Sequence, residues 1–201
     1  DPGGASRHRA YDRPVDHPAG SLRGRLLVAT PPLVDPNFDR TVVLLLEHHD
    51  DGALGVVLNR PAPQSLDDVT PEWRPLAATP AAVFTGGPVA GEAILGLARR
   101  RNGTEPDGFV AVLGDLGTVD LTTDPFDLAG SIERVRVFAG YSGWAAGQLE
   151  AELDRDAWFV VDRHEDDAFC ERPETLWRDV LRRQRGPMAM SAHHPEDPDV
   201  N

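Results

Sequence analysis

Apolar runs punctuate this chain at short intervals and rarely reach helical length. Gly24–Thr30 (GRLLVAT) is closed by Pro31 and Pro32, Arg40–His48 (RTVVLLLEH) is β-branched and aliphatic, and Leu54–Asn59 (LGVVLN) stops at Arg60 and Pro61. Continuous apolar runs of this length, bounded by turn residues, predict buried strands. Between the second and third runs lies HHDDGA, whose Asp51–Gly52 step predicts a tight hairpin turn. Ala81–Pro88 (AVFTGGP) reads as a strand entering a glycine turn, and FVAVLG (109–114) and GTVDLTT (117–123) as further strands. Arg134–Tyr141 (RVRVFAGY) alternates and ends at a glycine, which predicts another strand, while Gly91–Arg100 fits helix and strand equally well.

Helical signals are fewer. Asp124 followed by Pro125 has the form of an N-cap and first helical residue. After Tyr141, Trp144, Gln148, Leu149 and Leu153 recur at helical spacing, predicting a helix that begins near Ser142. Trp158–Asp162 reads as a strand, and Pro173–Gln184 as a helix with Leu176, Trp177, Val180 and Leu181 on one face. Strands outnumber helices and often follow one another directly, so the expected class is α+β, not a regular βαβ alternation.

The two ends break this pattern. Residues 1–20 mix Pro, Gly and charge with almost nothing apolar, and residues 188–201 close in SAHHPEDPDVN; neither can offset its ordering entropy, and both are expected to be disordered. Residues 21–187 are expected to form one domain. The His193–His194 pair belongs to the tail, where ligands lack the fixed geometry a metal needs.

Charge narrows the function classes. The formal net charge is −13, with acidic residues spread throughout and no basic block, a surface that repels a phosphate backbone. Direct nucleic-acid binding is therefore not expected. The chain has no lysine, which excludes Schiff-base and P-loop lysine chemistry. One cysteine, Cys170, cannot make an internal disulfide, no run approaches the roughly 20 apolar residues of a membrane helix, and no signal-peptide core is visible. A reducing cytoplasm with no membrane attachment is the expected setting.

Three stretches have side chains of a chemically capable type. Glu47–His48–His49–Asp50–Asp51 offers metal-ligand chemistry, but adjacent residues on a strand face opposite ways and no helical i, i+4 or CxxC spacing is present, so neither a metal nor a cofactor is expected. Gly140–Tyr141–Ser142–Gly143–Trp144 resembles a nucleophile elbow, yet G-x-S-x-G is broken because Trp144 stands where the second glycine belongs. Thr85–Gly86–Gly87–Pro88 is too short for a dinucleotide loop and reads as a backbone turn whose amides could meet an anion. Asn102–Gly103–Thr104 has the form of a glycosylation sequon and predicts no more than a loop.

Taken together, PPLVDPNFDRTVVLLLEHHDDGALGVVLNRP, FTGGPV and FAGYSGWAAGQLEAELDRDAWFVV resemble, in order and spacing, the signature blocks of the AlgH/YqgE family of bacterial proteins. With the PETLWRDVL helix the resemblance covers about Gly24 to Arg183. It implies an α+β fold: a mixed, mainly antiparallel, bifurcated sheet curled into a pseudo-barrel with packed helices. Family members are commonly labelled transcriptional regulators and no reaction is established for them. No helix-turn-helix is apparent in this chain, and Ala commonly stands in the family at the position of Ser142. The expectation is a non-enzymatic binding or regulatory protein with an unidentified protein or small-molecule partner. Its surface would draw on Asp35, Arg40, Glu47, His48, Asn59, Gly86, Gly87, Tyr141, Trp144, Gln148 and Glu150. Fold-holding roles compete at each position: Asp35 and Asn59 as turn organisers, Arg40 paired with Glu47 or Glu150, and His48 in a hairpin-anchoring hydrogen bond. The alternative is a small hydrolase or other enzyme using Ser142 or His48.

Overall fold

A computed structural model describes residues 20–194. The disorder expected of residues 1–19 and 195–201 lies outside the described residues. Within them the strands are β1 (Leu26–Ala29), β2 (Val42–His49), β3 (Gly52–Val57), β4 (Pro61–Ser65), β5 (Ala82–Thr85), β6 (Val89–Arg100), β7 (Phe109–Leu113), β8 (Leu116–Val119), β9 (Ile132–Ala145) and β10 (Trp158–Val161). The helices are α1 (Leu66–Val69), α2 (Pro125–Leu128), α3 (Gln148–Leu153), α4 (Leu176–Arg182) and α5 (Pro187–Ser191), with 3₁₀ turns at Pro71–Leu76, Asp167–Phe169 and Pro173–Thr175.

The strand order is β10-β1-β2-β3-β9-β6-β8-β7, antiparallel at every step, and the β4–β5 pair joins it through a parallel β5–β9 contact. This is the mixed, mainly antiparallel α+β sheet that the resemblance implies. It forks along β9. Residues Ile132–Tyr141 pair with β6, with Val83–Thr85 of β5 alongside, whereas Ser142–Ala145 pair with Gly52–Gly55 of β3. The sheet also curls: Arg23 donates to the Ala111 carbonyl of β7, and Leu113 lies against Gly24 just before β1, so the β7 end of the strand order approaches the entry to β1, next to its other end.

Apolar residues fill both sides. Leu26, Val28, Leu44, Leu46, Phe138 and the inner face of α4 form one core, Leu27, Val43, Leu45, Trp144, Leu149 and Trp158 a second, and Trp73, Val83, Leu128, Val135 and Val137 a third. Alternation along β1 and β2 divides their side chains between the first two cores, which is why these strands read as continuous apolar runs. Arg136 is buried beneath β9, 2% exposed, with its guanidinium 4.2 Å from the centre of the Phe84 ring. It donates to the carbonyls of Cys170 (3.1 Å) and Thr79 (2.7 Å), and burial pulls its pKa down to about 10, so it stays charged at neutral pH.

Several elements differ from expectation. The loop of the β2–β3 hairpin is Asp50–Asp51, and Gly52 is already paired with His49. Gly91–Arg100 is strand, because its residues pair with β9 on one side and β8 on the other. β4, α1 and the first 3₁₀ turn fall in a stretch whose proline-rich, polar composition shows no period. β9 does not stop at Gly140; it continues through Trp144 to Ala145, and α3 begins only at Gln148. The helical spacing misled because Trp144 of β9 and Leu149 and Leu153 of α3 pack into one core from different elements. The chain also stays ordered past Pro187: α5 follows, and Ala192 is 1% exposed within the first core, so the boundary expected at 187 is too early.

The fork depends on backbone contact at the end of β5. Gly86 N–H donates to Ala139 O (2.9 Å), and Gly86 O accepts both Val57 N–H (2.9 Å) and Ser142 Oγ–H (3.0 Å). A Cβ on Gly86 would overlap the Gly140 carbonyl, and Gly140 itself has φ +71° with Val89 O 2.8 Å from where its Cβ would lie. Gly86→Ala is therefore expected to destabilise the fold by about 1–3 kcal/mol or more, as overpacking against unyielding backbone does, measured by urea denaturation.

Candidate functional site

The candidate residues separate into three groups with different chemistry. At the end of the β2–β3 hairpin the ladder steps from Leu45–Gly55 to Glu47–Leu54, which leaves Leu46 as an extra residue in β2. A bulge of this kind re-aims the side chains that follow it. Leu46 joins the first core, and after the bulge His48 turns to the second-core face, toward α3, while Glu47 and His49 are exposed. His48 Nδ1 accepts the Leu22 amide (2.9 Å), its Nε2 meets Glu150 Oε1 (2.9 Å), and its carbonyl accepts Ser21 Oγ–H (3.2 Å). With Nδ1 accepting, the ring proton sits on Nε2 and is donated to Glu150. That hydrogen bond is the main reason the Glu150 carboxyl lies below the usual carboxylate range.

These residues border an open polar cleft of about 570 Å³, which Gly20, Ser21, His48, His49, Asp50, Asp51 and Glu150 line. Both ring nitrogens of His48 are engaged, so neither has a lone pair free for a metal. Among the described residues no group of three or more His, Cys, Asp or Glu side chains could hold a metal ion.

The second group surrounds α3. Glu152 accepts the indole N–H of Trp144 (2.9 Å) and of Trp158 (2.8 Å) on one oxygen, and Gln148 Nε2–H on the other (3.1 Å). Gln148 Oε1 accepts the Ala145 amide (3.0 Å), fixing the turn from β9 into the helix. Phe38 closes the cluster, 6.2 Å from Trp144 and 5.4 Å from Trp158 between ring centroids. Glu152 was not among the expected site residues; its i, i+4 spacing from Gln148 was the available signal.

The third group is the loop before β2. Asp35 Oδ1 accepts Asn37 N–H (2.8 Å), and the Asp35 carbonyl accepts Phe38 N–H and Asp39 N–H. Asn59 extends the ladder with its side chain: Oδ1 accepts Val42 N–H (2.9 Å) and Nδ2 donates to Arg40 O (2.9 Å). Arg60 donates to the carbonyls of Pro36, Asn37 and Asp39. Arg40 pairs with neither Glu47 nor Glu150; its guanidinium lies 4.9 Å from the centre of the Trp177 ring and donates to His194 O. Gly86, Gly87 and Tyr141 belong to the fork itself. Ser142, 0% exposed, lies inside β9 and not at a strand-to-helix junction, and its hydroxyl is donated to the Gly86 carbonyl.

Two substitutions test these assignments. Glu152→Ala leaves two buried indole N–H groups without an acceptor; a loss of about 1–3 kcal/mol is expected, with a shift in tryptophan emission on the same titration. Glu150 has a folded pKa below its unfolded value, so its contribution is present above the unfolded pKa and lost as pH falls through the folded one. Its side chain is half exposed, so screening limits the pair to about 0.2–1 kcal/mol. Glu150→Gln is expected to be that much less stable at neutral pH, with the gap closing below the carboxylate range when urea midpoints are compared.

Comparison with known proteins finds relatives in sequence and in fold. A UPF0301 protein of Streptomyces coelicolor is 51% identical over 185 residues, covering 90% of this chain and 96% of its own. A UPF0301 protein of Mycobacterium tuberculosis is 44% identical over 194 residues, covering 93% and 96%. Among solved structures, a protein from Corynebacterium diphtheriae superposes with a TM-score of 0.81 at 30% identity, covering 86% of this chain and 92% of that one. The solution structure of the AlgH protein from Pseudomonas aeruginosa gives a TM-score of 0.66 at 29% identity, covering 90% and 98%. The AlgH-like family profile matches residues 26–189, and the chain belongs to that family.

Proposed function

We propose that this protein is a non-enzymatic binding or regulatory protein of a reducing cytoplasm, acting through a protein or small-molecule partner and not by contact with DNA. The observation that carries this reading is that both candidate catalytic side chains are committed elsewhere. Ser142 Oγ is buried on the Gly86 carbonyl, and His48 uses one nitrogen on Leu22 and the other on Glu150. A nucleophile needs a base within hydrogen-bond reach and room for a substrate carbonyl beside it. Ser142 has neither in this arrangement.

One surface open to a partner is the end of the β2–β3 hairpin, where exposed Asp50, Asp51 and His49 border the cleft beside Glu150. It is polar and predominantly acidic. The net charge of −13 supports regulation through a protein or small molecule, since a repulsive field opposes approach to a phosphate backbone.

Affinity capture from native lysate with quantitative mass spectrometry tests the surface. A partner retained by the parent chain and by Ser142→Ala, and lost when Asp50 and Asp51 are both changed to Arg, is the expected result; equal retention by the doubly reversed chain overturns the assignment. Hydrolysis of an ester panel that Ser142→Ala abolishes would overturn the non-enzymatic reading. In fluorescence anisotropy at about 0.15 M salt, duplex DNA is expected to show no saturable binding.

A further inference from the structure

A second surface, separate from the hairpin end, lies where the first 3₁₀ turn meets α2. Phe126 is 85% exposed there, an unusual position for a phenylalanine on a short helix. Beside it Pro75, Leu76, Pro125 and Ala129 wall an apolar hollow of about 210 Å³, with Glu72 and Asp124 at its rim. This is smaller than the roughly 300 Å³ at which small-molecule pockets begin, and suits one inserted side chain better than a whole small molecule.

Both walls are anchored to the third core. Trp73 is fully buried and its indole N–H donates to Leu121 O at 3.0 Å, tying the 3₁₀ turn to the segment that leads into α2. Asp124 Oδ1 caps α2 by accepting Phe126 N–H at 2.9 Å, and Leu128 is buried. Two prolines restrict the backbone of the walls, so little conformational freedom remains to be lost on binding.

The rim is acidic. Residues 65–76 and 121–130 together hold Asp67, Asp68, Glu72, Asp124 and Asp127 against one base, Arg74, which is paired with Asp67 at 2.7 Å. A second copy of this chain docking by the same face would bring two such rims together. A partner with the opposite charge would not meet that repulsion.

We infer that this face docks a basic segment of another protein, which inserts one large apolar side chain between Phe126 and Pro75 while flanking Arg or Lys residues meet Glu72, Asp124 and Asp127. The apolar insertion supplies affinity and the charges supply selectivity and orientation.

Short random peptides displayed on phage, selected against the immobilised full chain, test the inference. The enriched sequences are then made as fluorescent peptides and titrated against the parent chain, Phe126→Ser and Ala129→Arg. Both positions are exposed, and an unchanged melting temperature confirms that each variant folds. The expected consensus is one large apolar residue flanked by Arg or Lys, with binding weakened about tenfold or more in each variant and further by salt. Absence of enrichment, a consensus without basic residues, or equal binding by both variants overturns it. A concentration-dependent dimer in sedimentation velocity that Ala129→Arg abolishes also overturns it, by assigning the face to a second copy.

Discussion

The structure depends on one place where backbone meets backbone without side chains between. Gly86 at the end of β5 approaches β9 closely enough that its carbonyl accepts from Val57 of the β3 segment and Ser142 of β9 together. At that point β9 leaves the β5–β6 half of the sheet and enters the β2–β3 half. A single strand serving two halves is a mechanical constraint: the halves cannot separate without breaking β9's pairing on one side. The serine that resembles a nucleophile is the side-chain pin of this junction, and its burial follows from that role.

The hairpin end follows from the same frame. Because β9 pairs with Gly52–Gly55, the hairpin is fixed against the strand that leads into α3, and this brings Glu150 within reach of His48. The bulge at Leu46 sets the direction of His48, and Leu22 occupies its other nitrogen. One histidine thereby joins three separate segments: the residues before β1, the hairpin and α3. Glu152 does similar work two residues on, holding two indoles from β9 and β10 on a single carboxylate. Most of the family-pattern residues thus carry the fold, and the chemically open positions, Asp50, Asp51 and His49, lie beside them on the hairpin loop.

Under the proposed binding role, partner recognition would rest on surfaces and not on a reactive centre. The hairpin end is acidic and hydrated, whereas the hollow beside Phe126 is apolar with an acidic border. These surfaces favour different contacts: charge and hydrogen bonding at the first, and insertion of an apolar anchor at the second.

The local pattern of the chain determined much. Apolar runs located most strands, Asp124–Pro125 located a helix start, and the adjacency of strands gave α+β. The hydrogen-bonding role expected of His48 at the hairpin is the one it has, with Leu22 and Glu150 as its partners. What local pattern could not decide was where long-range pairing overrides it. Gly140 looked like a strand end, yet β9 runs on because partners exist on both sides of it; Trp144 looked helical, yet pairing with Ala53 holds it in a strand. The bonds of His48 to Leu22 and Glu150, and of Ser142 to Gly86, join residues distant in sequence, and no short window along the chain contains both ends of those contacts. Sequence by itself set which segments could bury apolar surface. Only the tertiary structure decided which backbone groups they would meet, because a hydrogen bond is satisfied by position in space and not by neighbourhood along the chain.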